Sequence, residues 1–560
     1  MVKKMLVDTI LGLLFVSFFA FLKVKPRFNN ILMAILTFVV GGIFYFFAKD
    51  WDFGKEGVKT LIWDSSRSGD IKIDIVSSLH NYQLVFPFFT ITLLALINNL
   101  FFRYENNKRH FLAILTLNLL SFIILISGNN LIQIITFVFV IDILSQLFIK
   151  DVYASRRYSI YNLVADMGLF LVMAMLQGKL DTLEIGNIKH YYENGRHRDF
   201  IMFVLMVSFF IKLGFFLFQS YLLDLKNTRF HRLILITYLS TPMVALILLM
   251  KFYPLLVVSP SFDISFNVMV ALTMIWGFLG SVSINNLKEK TVYMNMMFVA
   301  LLAKLVEAAD FVWNIYFSFM LILGFCFNLC LYYVHYYLNR ENDLRYIDSV
   351  YKKNVPFLML IRNVYTLVLA AFVIPLGVIC NQSNLYWICF FVVLLVVSSA
   401  HLFSQVLGIK VVAEAKKSDY RPLVILLICV FLSGGLILEY KNLSYYSLFA
   451  VLLFMLLFKT YPLKALSLND SLNQKMQKMD FFGHLYDLII AKPLKIMGRS
   501  ITVLFDFMFI EKTVAAMFAT LNNFTIKLFR KSVRHWIWYY LINLFAAILI
   551  IIFCFWKENK

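Results

Sequence analysis

A lysine interrupts an otherwise apolar stretch of the chain. Residues 209–224 have the sequence FFIKLGFFLFQSYLLD, and Lys212 stands in the middle of a segment that would otherwise be soluble in lipid. A charge at bilayer depth costs on the order of a few kcal/mol, and such side chains usually face a protein interior or a water path. Because a buried amine readily changes its protonation state, Lys212 is a candidate for proton transfer. The alternative is a lysine that snorkels to the surface or forms a structural ion pair.

An acidic residue in another apolar segment offers this lysine a partner. Asp166 lies inside the segment 159–177 and is a candidate counter-ion for Lys212. The pair either takes part in proton transfer or serves only to neutralise the lysine, because removing one member of a buried pair is costly whatever its function. Gln219, seven residues after Lys212, is predicted to share its helical face.

The composition indicates that membrane helices position these side chains. The chain has 560 residues, of which 61% are hydrophobic, and a mean hydropathy of +0.79. Apolar runs of about 20 residues, enough to cross the ~30 Å hydrocarbon core, recur along it and predict an all-α polytopic membrane protein rather than a β-barrel. The net charge of +20 comes from short basic loops between these runs, which is typical of membrane proteins and does not indicate nucleic-acid binding. Basic residues flank both ends of several spans, so their count leaves the orientation open.

The apolar runs predict about sixteen transmembrane helices. In the N-terminal loop 49–83, the alternation from Ile71 to Ile75 predicts a short extramembrane strand or hairpin. The predicted spans lie near 5–23, 29–48, 84–102, 110–128, 130–149, 159–177, 199–218, 231–252, 265–284, 291–306, 311–337, 355–380, 384–407, 422–439, 444–461 and 536–556.

The segment 462–535 has a different character from the spans around it. After Pro493, polar residues recur at steps of four and then seven from Lys495 to Lys527, while Ile496 begins an apolar face. This pattern predicts an amphipathic helix that lies along a surface rather than across the membrane, with a break or kink at Pro493.

Several motifs, in their order along the chain, resemble those of one family. The stretch from Lys212 to Asp224 follows the pattern of Lys, six residues, then Gln-Thr/Ser-Trp-Leu-x-Asp. On this pattern and the motifs that follow, the chain resembles the L-type (subunit 5) membrane subunit of respiratory complex I, a relative of the large subunit of Mrp-type cation/proton antiporters. The other matching residues are Asn130 and Leu131, then Asp166 with Leu180, Thr182 and Leu183; Asn286, Leu287, Lys288 and Glu289 with Tyr293; and Phe482, Leu485, Tyr486, Asp487, Lys492 and Pro493 before the amphipathic helix.

The resemblance implies a domain layout. It places N-terminal spans at 1–109, two inverted five-helix repeats at 110–252 and 265–407, and two further spans at 408–461. A lateral amphipathic helix at 462–535 and a final transmembrane helix at 536–560 complete the chain. Each repeat is expected to contain a broken helix and a buried line of titratable residues, an arrangement that transporters use at their ion sites. The implied proton path runs through Lys212, Asp166, Asp142, Gln219, Asp224 and Lys288.

The chain departs from the family pattern at some of these positions. The channel glutamate of the family falls on Phe139, and Asp142, one turn further, is a candidate substitute. The alternative is that Asp142 sits beside Lys150 near a helix end, outside any channel. The second repeat is predicted to be degenerate, because 311–337 offers Asn328 where the family has titratable groups and 355–380 offers only Arg362. His401 is interpreted as a packing residue, and the glycines and prolines that break helices in the family are sparse.

Together these observations predict a divergent membrane-arm subunit of NADH-quinone oxidoreductase (complex I) that contributes to proton translocation. The alternatives are an Mrp-type cation/proton antiporter subunit and a structural paralogue that does not translocate ions. No phosphate loop, iron–sulfur cysteine cluster or metal motif is present, so no cofactor, metal or redox site of its own is predicted. The expected partners are the lipid bilayer and other membrane-arm subunits, in the bacterial cytoplasmic (inner) membrane or, alternatively, the mitochondrial inner membrane.

Overall fold

A computed structural model describes most of the chain between residues 57 and 412. The chain divides into two compact units, residues 1–61 with 72–479 and residues 62–71 with 480–560. The predicted spans near 5–23, 29–48, 422–439, 444–461 and 536–556 lie outside the described residues, as do Leu485, Tyr486, Asp487, Lys492 and Pro493 and all of the lateral helix except Ile496. The described residues are 35, 57–63, 71–77, 79–102, 108–180, 184–185, 196–256, 260–307, 311–338, 350–351, 354–365, 368, 394–395, 397–399, 401–403, 405–406, 411–412 and 496.

Helices coincide with every span predicted between residues 84 and 337. Among the described residues, Val152–Gln177, Phe230–Tyr253, Phe262–Ser283 and Met320–Tyr337 are long and apolar enough to cross a membrane. In chain order the helices are α1 (Leu79–Phe102), α2 (Lys108–Ser127), α3 (Leu131–Gln146), α4 (Val152–Leu180), α5 (Arg196–Leu213), α6 (Ser220–Leu223), α7 (Phe230–Ile234), α8 (Thr241–Leu256), α9 (Pro260–Ser283), α10 (Leu287–Glu307) and α11 (Phe311–Tyr337).

The described residues are mostly helical, as predicted, and short strands accompany the helices. Strands β1 (Gly57–Trp63) and β2 (Ile71–Ser77) form a two-stranded sheet where the alternation predicted a strand or hairpin. A second, parallel pair joins β3 (Val350–Tyr351) to β4 (Val411–Val412), with Val350 opposite Val411. The second pair has no sequence signal, because two residues are too few to show a period.

The span predicted at 199–218 is a broken helix. Helix α5 ends at Leu213, and Gly214 follows in a left-handed conformation with φ of 64°. Glycine adopts this conformation without the steric cost that a Cβ would impose. Turns then lead to α6 at Ser220. The prediction that Gln219 shares a helical face with Lys212 is therefore wrong, because the helix stops between them.

The next span is also interrupted. Helix α7 passes into a π-helix at Leu235–Leu239, Ser240 leaves helical geometry at φ −95° and ψ −108°, and α8 begins at Thr241. Pro242 explains part of this break, because proline has no N–H to continue a helical ladder and is tolerated in a first turn. The scarcity of glycine and proline therefore does not prevent broken helices here.

Polar contacts tie several helix ends together at one end of the helices, which we call the basic end: residues 147–157, 224–232 and 285–289. Arg157 pairs with Asp224 at 2.7 Å, and Lys226 pairs with Glu289 at 3.3 Å. Arg232 also donates to the carbonyl of Phe148 at 2.9 Å, so the end of α3 and the starts of α4, α7 and α10 are held together.

The opposite end is the group formed by residues 126–130, 184–185 and 251. Glu184 bridges to Asn130, and Ile185 N–H donates to Asn129 O at 2.9 Å. Lys251 of α8 donates to the carbonyls of Ile126 and Gly128, which belong to the end of α2. Helices α3, α4 and the α7–α8 span therefore run between two ends that are each defined by contacts.

The helices differ in how much of their surface is covered. The Phe230–Tyr253 and Met320–Tyr337 segments are almost wholly buried, whereas only 39% of the apolar window of Val152–Gln177 and 33% of that of Phe262–Ser283 is buried. Exposed apolar side chains such as Met167 on α4 and Ile264 on α9 therefore lie on outer helices. The broken α7–α8 span occupies the interior, next to the charged residues described below.

Candidate functional site

Lys212 lies between two aspartates inside the protein. Its Nζ is 2.5 Å from Oδ2 of Asp142 and 2.7 Å from Oδ1 of Asp166, and its side chain has no exposed surface. Helix α3 supplies Asp142, α4 supplies Asp166 and α5 supplies the lysine. The structure thus excludes a Lys212 that snorkels to the surface and an Asp142 that lies outside the site. The roles of these residues in proton transfer stay a prediction.

These three side chains form an unbalanced charge cluster. With the lysine protonated and both aspartates ionised, the cluster has a net charge of −1 and is shielded from water. Two carboxylates that share a buried site repel each other, and a cation between them relieves that repulsion. A further proton on either carboxylate would make the cluster neutral, so the arrangement has the composition of a site that binds one proton.

The end of α5 is stabilised at Lys212 itself. The hydroxyl of Tyr221 donates to the carbonyls of Ile211 at 3.1 Å and of Lys212 at 3.2 Å. The last carbonyls of a helix lack intrahelical donors and carry partial negative charge. A lysine in the last turn is therefore favourably placed, and α5 ends one residue after Lys212, directly before Gly214.

Hydroxyl groups continue from the charged cluster into the broken α7–α8 span. Thr241 Oγ1 lies 3.4 Å from Asp142 Oδ1, and Tyr158 hydrogen-bonds to Thr241. The Tyr158 hydroxyl is also 3.4 Å from Ser240 Oγ, beside the π-helix. A parallel contact joins Tyr161 to Ser220 at 2.6 Å. The hydroxyls of Thr241, Tyr158 and Ser240 thus lead from Asp142 to the break at Ser240, and the Tyr161–Ser220 contact lies at the start of α6.

The sequence motifs do not include Tyr158 or Thr241. Tyr158, Asn162 and Asp166 recur every four residues, which places them on one stripe of α4. That spacing was a usable signal for Tyr158. Thr241 had no such signal, because its position depends on an unpredicted break at Ser240.

Gln219 lies in the turn between α5 and α6 and is buried. Its amide Oε1 has no hydrogen-bond donor within the part of the chain that the structure describes. Buried polar atoms of this kind usually bind an ordered water. Gln219 is therefore placed near the broken helix but is not joined to Lys212 by any direct bond.

Asp224 and Lys288 lie at the basic end rather than with Lys212. Asp224 pairs with Arg157, and Lys288 Nζ donates to Thr228 O at 2.8 Å. These contacts hold the loop after α6, and they give both residues a positioning role whether or not a proton passes them. Beside them, the side-chain hydrogen bond from Asn227 lowers the pKa of Asp151, which caps α4 through Tyr153 N–H.

Amide and imidazole side chains lie in the segment predicted as the second repeat. Asn328 donates to the carbonyl of Gly324 in its own helix, and His335 stacks on Phe230 with ring centroids 4.8 Å apart. Asn295 of α10 donates to Oγ1 of Thr237 at 2.9 Å. Amides and hydroxyls therefore stand at these positions in the described part of the chain.

The comparison with known families decides the assignment. Residues 117–408, more than half of the chain, match the family described as NADH:quinone oxidoreductase/Mrp antiporter, TM. The chain belongs to this family. The match confirms the resemblance to complex I and Mrp-type subunits, and it makes the chain a multi-pass integral membrane protein with an antiporter-like domain. No curated protein matches the chain.

Proposed function

We propose that this chain is a proton-translocating membrane-arm subunit of NADH-quinone oxidoreductase, and that Lys212, Asp142 and Asp166 are its proton-transfer residues. The observation that carries the proposal is a fully buried lysine held by two carboxylates at the break of a membrane helix. Intramembrane charges of this kind usually mark ion paths. The family supports an antiporter-like domain, and the motifs at 482–493 favour the complex I subunit.

The geometry permits a simple proton-transfer step. A proton that reaches Asp142 neutralises the carboxylate that Lys212 contacts most closely, and Asp166 then becomes the stronger partner of the ammonium. Transfer between Nζ and either carboxylate needs little movement, because both lie at hydrogen-bond distance. The hydroxyls of Thr241 and Tyr158 extend from Asp142 toward the second helix break and provide donors and acceptors on that side. Driving energy would come from redox chemistry in partner subunits.

The test begins with the protein purified from native membranes together with its partners. The preparation is reconstituted into liposomes, and internal acidification is recorded with NADH and quinone, or with a Na⁺ gradient, as the driving force. NADH-driven acidification that falls at least about tenfold in Lys212→Met would support the proposal, since a positioned proton-transfer group typically contributes 10²–10⁴-fold. Lys226→Met, a substitution at a half-exposed surface lysine, is the control.

Other outcomes would favour the alternatives. Acidification that follows the Na⁺ gradient and ignores NADH would indicate an Mrp-type antiporter subunit that uses the same residues. Acidification that is unchanged in Lys212→Met would refute the role of the cluster and would favour a subunit that serves only assembly. Recovery of the chain without partners would contradict a role in complex I.

A further inference from the structure

A second buried lysine lies outside the Lys212 site. Lys290 is one turn into α10, and its side chain has no exposed surface. It follows Lys288 and Glu289 in sequence, so in the sequence it resembles the end of a charged loop. The helix begins at Leu287, however, and its first turn carries Lys290 into the protein.

The hydrogen-bond partner of Lys290 is a side-chain amide, whereas the partners of Lys212 are carboxylates. Its Nζ donates to Oε1 of Gln405 at 2.7 Å, and Nε2 of Gln405 lies 3.5 Å from Oδ1 of Asn285. Within the described part of the chain, no acidic side chain pairs with Lys290. The lysine thus has a polar partner and no counter-charge there.

The charged groups closest to it in sequence are engaged elsewhere. Lys288 donates to the carbonyl of Thr228, and Glu289 pairs with Lys226. The helical turn that precedes Gln405 carries His401, which is buried and is the titratable group on that element.

Along α10, the stripe that continues from Lys290 is apolar. Met294, Met297 and Leu301 follow it at helical spacing, and all three are buried. Lys304 ends the stripe near the other end of α10, where it donates to Asn267. Apolar side chains therefore separate the two lysines along this face of α10, and Lys290 lies next to residues 285–289 of the basic end.

This environment suits an amine that gains and loses a proton. An ammonium whose partner is an amide oxygen is poorly compensated for lost water, because burial of a charge is costly unless it is paired. The neutral amine keeps an N–H that can donate to Gln405, so the observed hydrogen bond survives in both protonation states. Uptake of a proton converts the amine to an ammonium, and release reverses the step, with no other bond made or broken.

We propose that Lys290 and Gln405 form a second proton-binding site, in the segment predicted as the second repeat. The site is not at a position that the family resemblance assigns, and it supplies a titratable group to a segment that sequence analysis predicts to be degenerate. The inference rests on the proposed function of proton translocation. It predicts that protons reach Lys290 from the basic end.

Three variants of the reconstituted complex test the site. Lys290→Met removes the base, Lys290→Arg replaces it with a guanidinium that does not release its proton, and Gln405→Glu places a fixed anion beside Nζ. We expect each to lower proton flux by about tenfold or more. If Lys290 had only a structural role, proton flux should stay near the wild-type value in Lys290→Arg and in Gln405→Glu. The first variant keeps the positive charge, and the second strengthens its pairing.

The outcomes separate this inference from the proposed function. Wild-type flux in both Lys290→Arg and Gln405→Glu would overturn the second site, whatever Lys290→Met does. If Lys212→Met still lowers flux in that case, the proposed function stands and only this inference fails; if Lys212→Met has no effect either, both fail. Thermal stability in detergent is measured for each variant, and Lys226→Met is again the control. Should Lys290→Met fail to assemble, the two polar variants decide.

Discussion

At the scale of single residues, the cluster of Lys212, Asp142 and Asp166 combines stability with function. A buried ion pair contributes little net stability, but the loss of one partner costs about 3–5 kcal/mol because a charge is left uncompensated. In this cluster the lysine also separates two acids. The contacts that hold α3, α4 and α5 together are therefore the same contacts through which we propose that a proton is transferred.

We predict a specific pattern of stabilities for substitutions in this cluster. Lys212→Met should lower the free energy of unfolding by about 3–5 kcal/mol, since it leaves two carboxylates facing each other. The triple variant Lys212→Met, Asp142→Asn, Asp166→Asn should recover most of that loss, because no charge remains. Thermal unfolding in detergent measures both. A triple variant no more stable than the single one would show that the charges do not interact as the distances indicate.

Much of this cluster could be predicted from single residues. Lys212 and Asp166 stand out because charges are rare in apolar segments. Asp142 stands out because it lies one helical turn after Phe139, the position of the family's glutamate. Tyr158 is marked only by its helical spacing from Asp166, and Thr241 does not stand out, because hydroxyl groups are common in membrane helices and their role depends on distances between helices. Lys290 was missed because its burial depends on where α10 begins.

At the scale of elements, the break after α5 decides where Lys212 points. Gly214 adopts φ of 64°, and a Cβ there would lie 2.3 Å from Cδ1 of Leu222. Both the backbone conformation and the contact disfavour a larger residue. The helix positions could be predicted from hydropathy, but this break and the π-helix at Leu235–Leu239 could not, because one glycine or none marks them.

Gly214→Ala should therefore destabilise the protein and displace Lys212. We expect a loss of about 1 kcal/mol or more from the backbone conformation alone, with a further loss from the contact with Leu222. The double variant Gly214→Ala, Leu222→Ala removes the contact and leaves the backbone cost, so it separates the two terms. Unfolding midpoints in detergent provide the measurement. Unchanged midpoints in Gly214→Ala would contradict the left-handed conformation.

At the scale of the whole molecule, the described helices form a covered interior and an exposed periphery. The broken α7–α8 span and the Met320–Tyr337 part of α11 are inside, and α4 and α9 are outside. Hydropathy does not predict which helices are inside and which are outside, because inner and outer membrane helices are both apolar. The order follows from packing, and it places the polar breaks where protein rather than lipid can satisfy them.

The contacts that define the two ends of the helices allow a prediction of the sidedness of the protein. Along the chain, basic residues flank both ends of several spans, but the structure gathers many of them at one end. Because lysine and arginine accumulate in cytoplasmic loops, we predict that this end faces the cytoplasm in a bacterial membrane, or the matrix in a mitochondrial one. The prediction can be tested by labelling with a membrane-impermeant maleimide. Lys226→Cys should react only in inverted vesicles, and Glu184→Cys only in right-side-out vesicles. Protons for Lys290 would then be drawn from that side of the membrane. Basic residues outnumber acidic ones at the basic end. The acidic residues are Asp151, Asp224 and Glu289, and the basic residues are Lys150, Arg156, Arg157, Lys226, Arg229, Arg232 and Lys288.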